Sequence, residues 1–133
     1  MEPSAIRQTV LVVEDEAFIR MSTIASLEDV GLHVLEAANS AEALQVLGQH
    51  PDIGVLVTDV RMPGAMDGLG LVSRAQRDHP VIRSIVVSGN ASANDAYKAG
   101  AVRFIAKPYM AHNVVLAVLS LMPHSRAPLG FAA

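Results

Sequence analysis

The chain has 133 residues, of which 51% are hydrophobic and 17% charged, and it contains no cysteine. These values fit one compact domain with a single core, and they exclude disulfides and thiolate metal sites. The net charge of −3 provides no basic field for nucleic acid, so we predict no direct nucleic-acid binding.

Short apolar runs alternate with helical patterns five times along the chain, which is typical of repeated strand–helix units and a parallel sheet. The first, third and fourth runs are nearly continuous Val, Ile and Leu, as expected for central strands covered on both faces. The second is shorter and more polar, which favours an edge position. The predicted strands are Thr9–Val13, His33–Glu36, Gly54–Asp59, Ser84–Ser88 and Val102–Ala106.

Helices are predicted between and after these strands. Asn39 with Glu42 three residues later is an Asn form of the capping box, and Asp67 is placed to cap the next helix. The predicted helical segments are Glu16 to Val30, one that begins at Asn39, one that begins after Asp67-Gly68, Ser92 to Ala99, and Met110 to Met122.

The last helical segment has almost no polar face between Val114 and Met122. A helix that is apolar all round should be buried on more than one side. We therefore expect a second cover, either a partner, including a homodimer through this helix, or the C-terminal tail. We predict a disordered segment at residues 1–8, a domain at residues 9–122 and an irregular tail at residues 123–133.

No uncharged apolar run is long enough to span a bilayer, and residues 1–8 lack the apolar core of a signal peptide. We therefore expect no membrane contact and a cytoplasmic location.

Acidic residues follow or end two of the predicted strands. Glu14 and Asp15 come directly after Val13, and Asp59 ends the third strand. In an open parallel sheet the carboxyl ends of the strands form the crevice where ligands bind. Three carboxylates there repel one another unless a cation joins them. The sequence therefore predicts a hard divalent metal beside one carboxylate that is free to react.

Two further polar residues belong to the same edge. Ser88 ends the fourth strand, and Lys107, followed by Pro108, comes directly after the fifth. A hydroxyl and an ammonium can bind an anion, and with the metal and a carboxylate nucleophile they are the parts that phosphoryl transfer requires.

This pattern resembles the receiver domain of two-component response regulators, the CheY-like family. The matching segments are Val-Val-Glu-Asp-Glu at 12–16, Val-Thr-Asp-Val-Arg-Met-Pro at 57–63, Val-Val-Ser-Gly at 86–89 and Phe-Ile-Ala-Lys-Pro-Tyr at 104–109. The resemblance covers residues 9–122. It implies an α/β, flavodoxin-like (βα)5 fold, with a five-stranded parallel sheet in the order 2-1-3-4-5 and helices on both faces.

The resemblance also implies roles at the metal. Asp59 would accept a phosphoryl group from a phosphohistidine of a sensor histidine kinase or a phosphotransfer protein. Asp15 would ligate Mg²⁺ directly and Glu14 would act through water. Asp59 and the backbone carbonyl of Arg61 would supply further oxygens, which suits the shell that Mg²⁺ prefers.

In the same way, Lys107 would pair with the phosphoryl oxygens, Ser88 would move to bond the phosphoryl group, and Phe104 would turn inward. The readout surface, for a downstream protein target, would be the fourth helix, fifth strand and fifth helix. The alternatives are that Ser88 only begins a turn and that Phe104 is an ordinary core residue.

The chain departs from the usual pattern in three places. Glu14 stands where Asp is more common, and the loop 62–68 has one residue more than usual, which is expected to widen it beside Asp59. Val102 and Arg103 stand where a subfamily of DNA-binding regulators has acids used in dimer salt bridges, so that dimer is not expected here.

The leading hypothesis is a stand-alone receiver that controls protein interactions and is not an enzyme with a diffusible substrate. One alternative is a receiver fragment of a hybrid histidine kinase. Another is a haloacid-dehalogenase-like phosphatase with Asp59 as nucleophile, but that chemistry needs a second acid two residues later, where Arg61 stands.

Overall fold

The computed structural model describes residues 9–122, in which a five-stranded parallel sheet lies between two layers of helices. The strand order is β2-β1-β3-β4-β5, so the predicted flavodoxin-like topology is confirmed. The predictions for residues 1–8 and 123–133 lie outside the described residues. The elements are β1 (Thr9–Val13), α1 (Ala17–Asp29), β2 (His33–Ala37), α2 (Ser40–Gln49), β3 (Ile53–Asp59), α3 (Gly68–Asp78), β4 (Arg83–Ser88), α4 (Ala93–Ala99), β5 (Arg103–Ala106) and α5 (Ala111–Leu121).

The register of the sheet brings the carboxyl ends of the strands to one level. Val13 pairs with Ala37 on one side and Thr58 on the other, and Ser88 pairs with Ala106. The residues that follow these positions therefore emerge at the same edge of the sheet.

The predicted strands are all present; β1 has the predicted bounds, and each of the other four differs by one residue at one end. Parallel pairing with β1 carries β2 on to Ala37, and β3 starts at Ile53 because Thr9 pairs with it before the register shifts. β4 starts at Arg83, and β5 starts at Arg103 instead of Val102. The polar strand β2 lies at an edge, as its composition predicts.

The sheet divides the predicted single core into two apolar cores, one on each face. On one face, α1 and α5 pack against side chains of β1, β3 and β4 that include Val10, Val55 and Ile85. On the other face, α2, α3 and α4 cover residues that include Leu11 and Leu56. Full burial of one such side chain stabilises the fold by about 1.5–3 kcal/mol, so the two cores fix the sheet that carries the site.

Side chains cap the helices that begin beside the carboxyl edge. Asn39 Oδ1 accepts from the Glu42 N–H at 2.9 Å, and Asp67 Oδ1 accepts from the Gly70 N–H at 2.9 Å, as predicted. The Glu42 carboxylate reaches back to the Ala38 N–H at 2.8 Å, one residue before the cap, which differs from the standard capping box.

The fifth helix is covered on one side within residues 9–122. Val114, Val115, Val118 and Leu121 are buried against the sheet and α1, whereas Leu116 is 53% exposed. The expected second cover has no counterpart among the described residues, and the tail that could supply it lies outside them. None of the helices in this part of the chain is long and apolar enough to cross a membrane.

Candidate functional site

Three carboxylates meet at the carboxyl edge of the sheet. One oxygen each of Glu14, Asp15 and Asp59 lies within 4.8 Å of the other two. Glu14 and Asp59 are only 5% and 9% exposed, while Asp15 is open to solvent. Within residues 9–122 this is the only group of three or more His, Cys, Asp or Glu side chains close enough to hold one metal ion. Clustered carboxylate oxygens on a partly open edge fit a hard cation such as Mg²⁺, which keeps several waters.

Lys107 places its ammonium group against this cluster. Its Nζ lies 2.8 Å from Asp59 Oδ2 and 3.4 Å from Glu14 Oε1. Burial alone would lower the pKa of Lys107, but the hydrogen bond and charge of Asp59, and then those of Glu14, raise it above its ordinary value. Lys107 is therefore a fixed positive charge at neutral pH.

Glu14 is the acid whose ionised form is disfavoured by its position in the site. Burial, together with the negative charge of Asp59, raises the pKa of Glu14 above its ordinary value, against the opposing effects of the Glu16 N–H and Lys107. A carboxylate held at an electrostatic cost gains from any additional cation that reaches it. The site is therefore electrostatically prepared for a metal ion.

Asp59 is held by the backbone around it. Its Oδ1 accepts from the Val60 N–H at 2.8 Å, and its backbone carbonyl accepts from the Thr58 hydroxyl at 2.8 Å. The loop that follows β3 returns to this point, where the Gly68 N–H donates to the Val60 carbonyl at 2.8 Å. A Cβ at Gly68 would lie 1.8 Å from the Asp59 carbonyl oxygen, so only glycine fits there. The sequence predicts a helix after Asp67-Gly68 but does not identify this close contact, although an Asp-Gly pair is a signal for a tight turn.

Ser88 is buried at the end of β4, and its hydroxyl organises the following loop. Its Oγ accepts from the Asn90 N–H at 3.1 Å and from the Ala91 N–H at 3.0 Å. Its carbonyl accepts from the Lys107 N–H at 3.0 Å, which ties the ends of β4 and β5 together. The turn role considered for Ser88 is thus present. Both bonds are accepted ones, so they leave the hydroxyl proton available for donation.

Arg61 follows β3 at the rim of the cluster. Its side chain is exposed, and within residues 9–122 no N–H or O–H group donates to its carbonyl oxygen. When the Asn90 amide is oriented to satisfy its neighbours, its oxygen accepts from Arg61 Nη1 at 2.9 Å. Arg61 therefore offers a free backbone oxygen at this edge, and its side chain points toward the loop after β4.

Phe104 is part of β5, the edge strand beside β4. It pairs with Val86 in the sheet, is half-buried, and packs against the core on the α2–α4 side. Both the switching role and the plain core role are compatible with this position.

Two grooves border the site. Residues 63–66 of the longer loop and the start of α2 line a groove of about 380 Å³, and Gly64 in that loop has a positive φ of 111°. A second groove of about 480 Å³ lies beside Lys107, where Phe18 of α1 faces Pro108 and Tyr109. Phe18 is 80% exposed, so this apolar side chain is not part of the buried face of α1.

Comparisons with known proteins agree with this geometry. A family model for the response regulator receiver domain matches residues 10–119. A putative NtrX-like response regulator of Rickettsia conorii is 35% identical over 111 residues, covering 80% of this chain and 23% of that protein. The sensor kinase CckA of Brucella abortus is 41% identical over 90 residues, covering 67% of this chain and 9% of that protein.

Solved structures give the same result. The crystal structure of a CheY-like receiver domain protein from Methanospirillum hungatei superposes with a TM-score of 0.78 at 28% identity, covering 85% of this chain and 91% of that one. The chain spans about a quarter or less of the length of the two curated relatives described above.

Proposed function

The chain belongs to the response regulator receiver domain family of two-component signalling systems, and we propose that it accepts a phosphoryl group on Asp59 in the presence of Mg²⁺. The observation that carries this proposal is the position of the Asp59 carboxylate. It is 9% exposed, lies 2.8 Å from Lys107 Nζ, and shares the edge of the sheet with Glu14 and Asp15.

The proposed reaction is a group transfer that Asp59 can perform without a general base, because its carboxylate is already the nucleophile. An Asp59 oxygen forms a bond to phosphorus as the P–N bond to the donor histidine breaks, and the imidazole leaves with the bonding electron pair. Lys107 neutralises charge that develops on the phosphoryl oxygens.

Glu14, Asp15, Asp59 and the backbone carbonyl of Arg61 are the groups that would hold Mg²⁺, with Glu14 acting through water. The bound ion would offset negative charge on the transferring phosphoryl group. The exposure of Asp15 leaves one side of this set open to water and to the incoming phosphoryl group.

We propose that Ser88 and Phe104 report the phosphorylation. The Ser88 hydroxyl can move to donate to a phosphoryl oxygen, and that movement would break the bonds it accepts from the loop after β4 and release the loop. Phe104, half-buried at the edge strand, can then turn inward. This is a local change of charge that biases a two-state element, with α4, β5 and α5 as the readout surface.

The partners follow from this role. We propose a sensor histidine kinase or a phosphotransfer protein as the donor, and a downstream protein as the target, with a cytoplasmic location and no direct contact with nucleic acid or membrane. The exposed Leu116 on α5 supports a homodimer as one form of the readout. The role proposed is that of a signalling switch, distinct from an enzyme that turns over a diffusible substrate.

A receiver segment of a larger histidine kinase remains a second candidate. The observation that favours it is the 41% identity to a protein named as a sensor kinase, of which the chain covers 9%. Phosphoryl transfer to Asp59 would be the same in both cases, and the donor would differ.

The test is labelling by a small phosphodonor with and without Mg²⁺. We expect one phosphoryl group per chain, stable in acid and lost in base, and no labelling of the Asp59→Asn variant. Equal labelling of Asp59→Asn would overturn the proposal, and steady turnover of a phosphate ester would favour a phosphatase instead.

A further inference from the structure

Arg20 joins two strand ends beneath the acidic cluster. From α1, its Nη1 donates to the backbone carbonyl of Glu14 at 2.7 Å, and its Nε donates to Glu36 Oε1 at 2.7 Å. The side chain of Arg20 is only 17% exposed, whereas that of Glu36 is 57% exposed. A guanidinium that is mostly buried and donates to a carbonyl is held in one orientation.

The carbonyl that Arg20 holds belongs to the turn from which two of the three acids project. The Glu14 N–H donates to the Ala37 carbonyl at 3.1 Å, and the Glu14 carboxylate accepts from the Glu16 N–H at 3.1 Å. The peptide group between Glu14 and Asp15 has its orientation fixed by the Arg20 bond. If this peptide rotates, both carboxylates change direction.

We propose that Arg20 is a positioning residue for the divalent cation, an inference that rests on the proposed function. It sets the directions of the Glu14 and Asp15 carboxylates and makes no contact with the ion itself. The planar guanidinium of arginine suits this role, because one group must donate in two directions, to the Glu14 carbonyl after β1 and to Glu36 of β2. A lysine has the charge but not this geometry.

The charge of Arg20 and its geometry predict opposite results, which makes the proposal testable. As a positive charge near the site, Arg20 opposes a cation, and its removal would tighten Mg²⁺ binding. As a positioning residue, it favours the cation, and its removal would weaken binding. Partners of metal ligands typically contribute 10–100-fold to metal affinity. We expect about tenfold here, since the contact is to a backbone carbonyl.

The experiment measures Mg²⁺ and Ca²⁺ dissociation constants of the full chain by calorimetry. Arg20→Gln should weaken Mg²⁺ binding about tenfold, and Arg20→Lys should weaken it nearly as much. Glu36→Gln, which keeps the bond to Glu14, should have a smaller effect in the same direction. Ca²⁺ affinity should fall less, because Ca²⁺ accepts irregular geometry and Mg²⁺ does not.

Two controls separate positioning from stability. Arg74→Gln breaks an exposed ion pair with Asp78 on α3 and should leave both constants unchanged. Val118→Ala lowers stability from a fully buried position in α5 and should also leave the Mg²⁺ to Ca²⁺ ratio unchanged.

The outcomes distinguish the two claims. If the wild type binds no Mg²⁺, the proposed metal site is wrong and this inference falls with it. If the wild type binds Mg²⁺ but Arg20→Gln binds it equally or more tightly, the metal site stands and the positioning role is wrong. If Arg20→Gln does not fold, Arg20→Lys and Glu36→Gln decide, and unchanged Mg²⁺ affinity in both would overturn the inference.

Discussion

Replacing Glu14 with Gln should have opposite effects on the stability of the apo protein and of the metal-bound protein. Gln keeps the size of the side chain and an oxygen to accept the Glu16 N–H, but it removes one negative charge from a position that is 5% exposed. Without a divalent ion the variant should be more stable than the wild type. With Mg²⁺ it should be less stable.

The size of the effect follows from the distances. The facing oxygens of Glu14 and Asp59 lie within 4.8 Å of each other, and two unit charges at that limit repel by roughly 3 kcal/mol at an effective dielectric of about 20. Lys107, 3.4 Å from Glu14, contributes an attraction of roughly 5 kcal/mol on the same scale. The exposed Asp15 adds a screened repulsion, so the charge–charge energies nearly cancel.

The cost of burying the Glu14 carboxylate then decides the sign, in agreement with its raised pKa. We expect Glu14→Gln to raise the free energy of unfolding by on the order of 1 kcal/mol in EDTA. Mg²⁺ at a hundredfold excess over its dissociation constant should stabilise the wild type by about 2.7 kcal/mol. The variant should gain less, because it has lost one acidic group of the site.

The assay is urea unfolding with EDTA and with saturating Mg²⁺, repeated as the pH is lowered. A carboxyl group whose folded pKa is raised contributes stability that is present at low pH and is lost as the pH rises through that pKa. The advantage of the variant in EDTA should therefore shrink as the pH falls toward 4.5, the ordinary value for Glu14. A variant that is less stable than the wild type in EDTA, or that gains as much from Mg²⁺, would refute the reasoning.

Three other changes test separate parts of the account. Gly68→Ala should destabilise the fold by more than about 2 kcal/mol in the same urea assay, because its Cβ would lie 1.8 Å from the Asp59 carbonyl oxygen. Gly48→Ala, in α2, should instead stabilise the fold by about 0.5–1 kcal/mol, because a Cβ there would have nothing within 4 Å. Equal effects of the two substitutions would contradict the packing argument. Lys107→Gln should lower the free energy of unfolding in EDTA by about 1–3 kcal/mol, and Mg²⁺ should restore part of the loss; an unchanged midpoint would contradict the charge balance. Leu116→Arg should keep the unfolding midpoint while abolishing any self-association seen by light scattering, and a dimer that persists would remove α5 from the readout surface.

Much of the fold could be predicted from the sequence because the composition of each strand indicates whether it is buried on both faces or lies at an edge. Val10 to Val13 and Val55 to Val57 are continuous apolar runs of the length and β-branched composition typical of strands covered on both faces. The acids that follow such runs must emerge at the carboxyl edge. For the same reason, Glu14, Asp15, Asp59 and Lys107 could be placed together before any coordinates.

The exposed faces of the helices and the side-chain pairs between elements depend on tertiary geometry, which the spacing of residues along the chain does not indicate. Phe18 lies in the helical segment of α1 but is 80% exposed. Apolar spacing indicates that a helix has an apolar stripe, but it does not indicate which part of that stripe the sheet covers. The apolar run in α5 predicts burial on more than one side, yet Leu116 is 53% exposed among the described residues. Arg20 and Glu36 are 16 residues apart on different elements, so their pairing could not be read from the chain.

The acceptor role of Asp59 is the central claim, and locating the phosphoryl group tests it most directly. The chain would be labelled with a small phosphodonor and Mg²⁺, digested with pepsin at acid pH, where an acyl phosphate survives, and sequenced by tandem mass spectrometry. We predict a single phosphorylated fragment, modified at Asp59 and absent when Mg²⁺ is replaced by EDTA. A phosphoryl group on Ser88, Asp15 or a histidine, with Asp59 unmodified, would contradict the account.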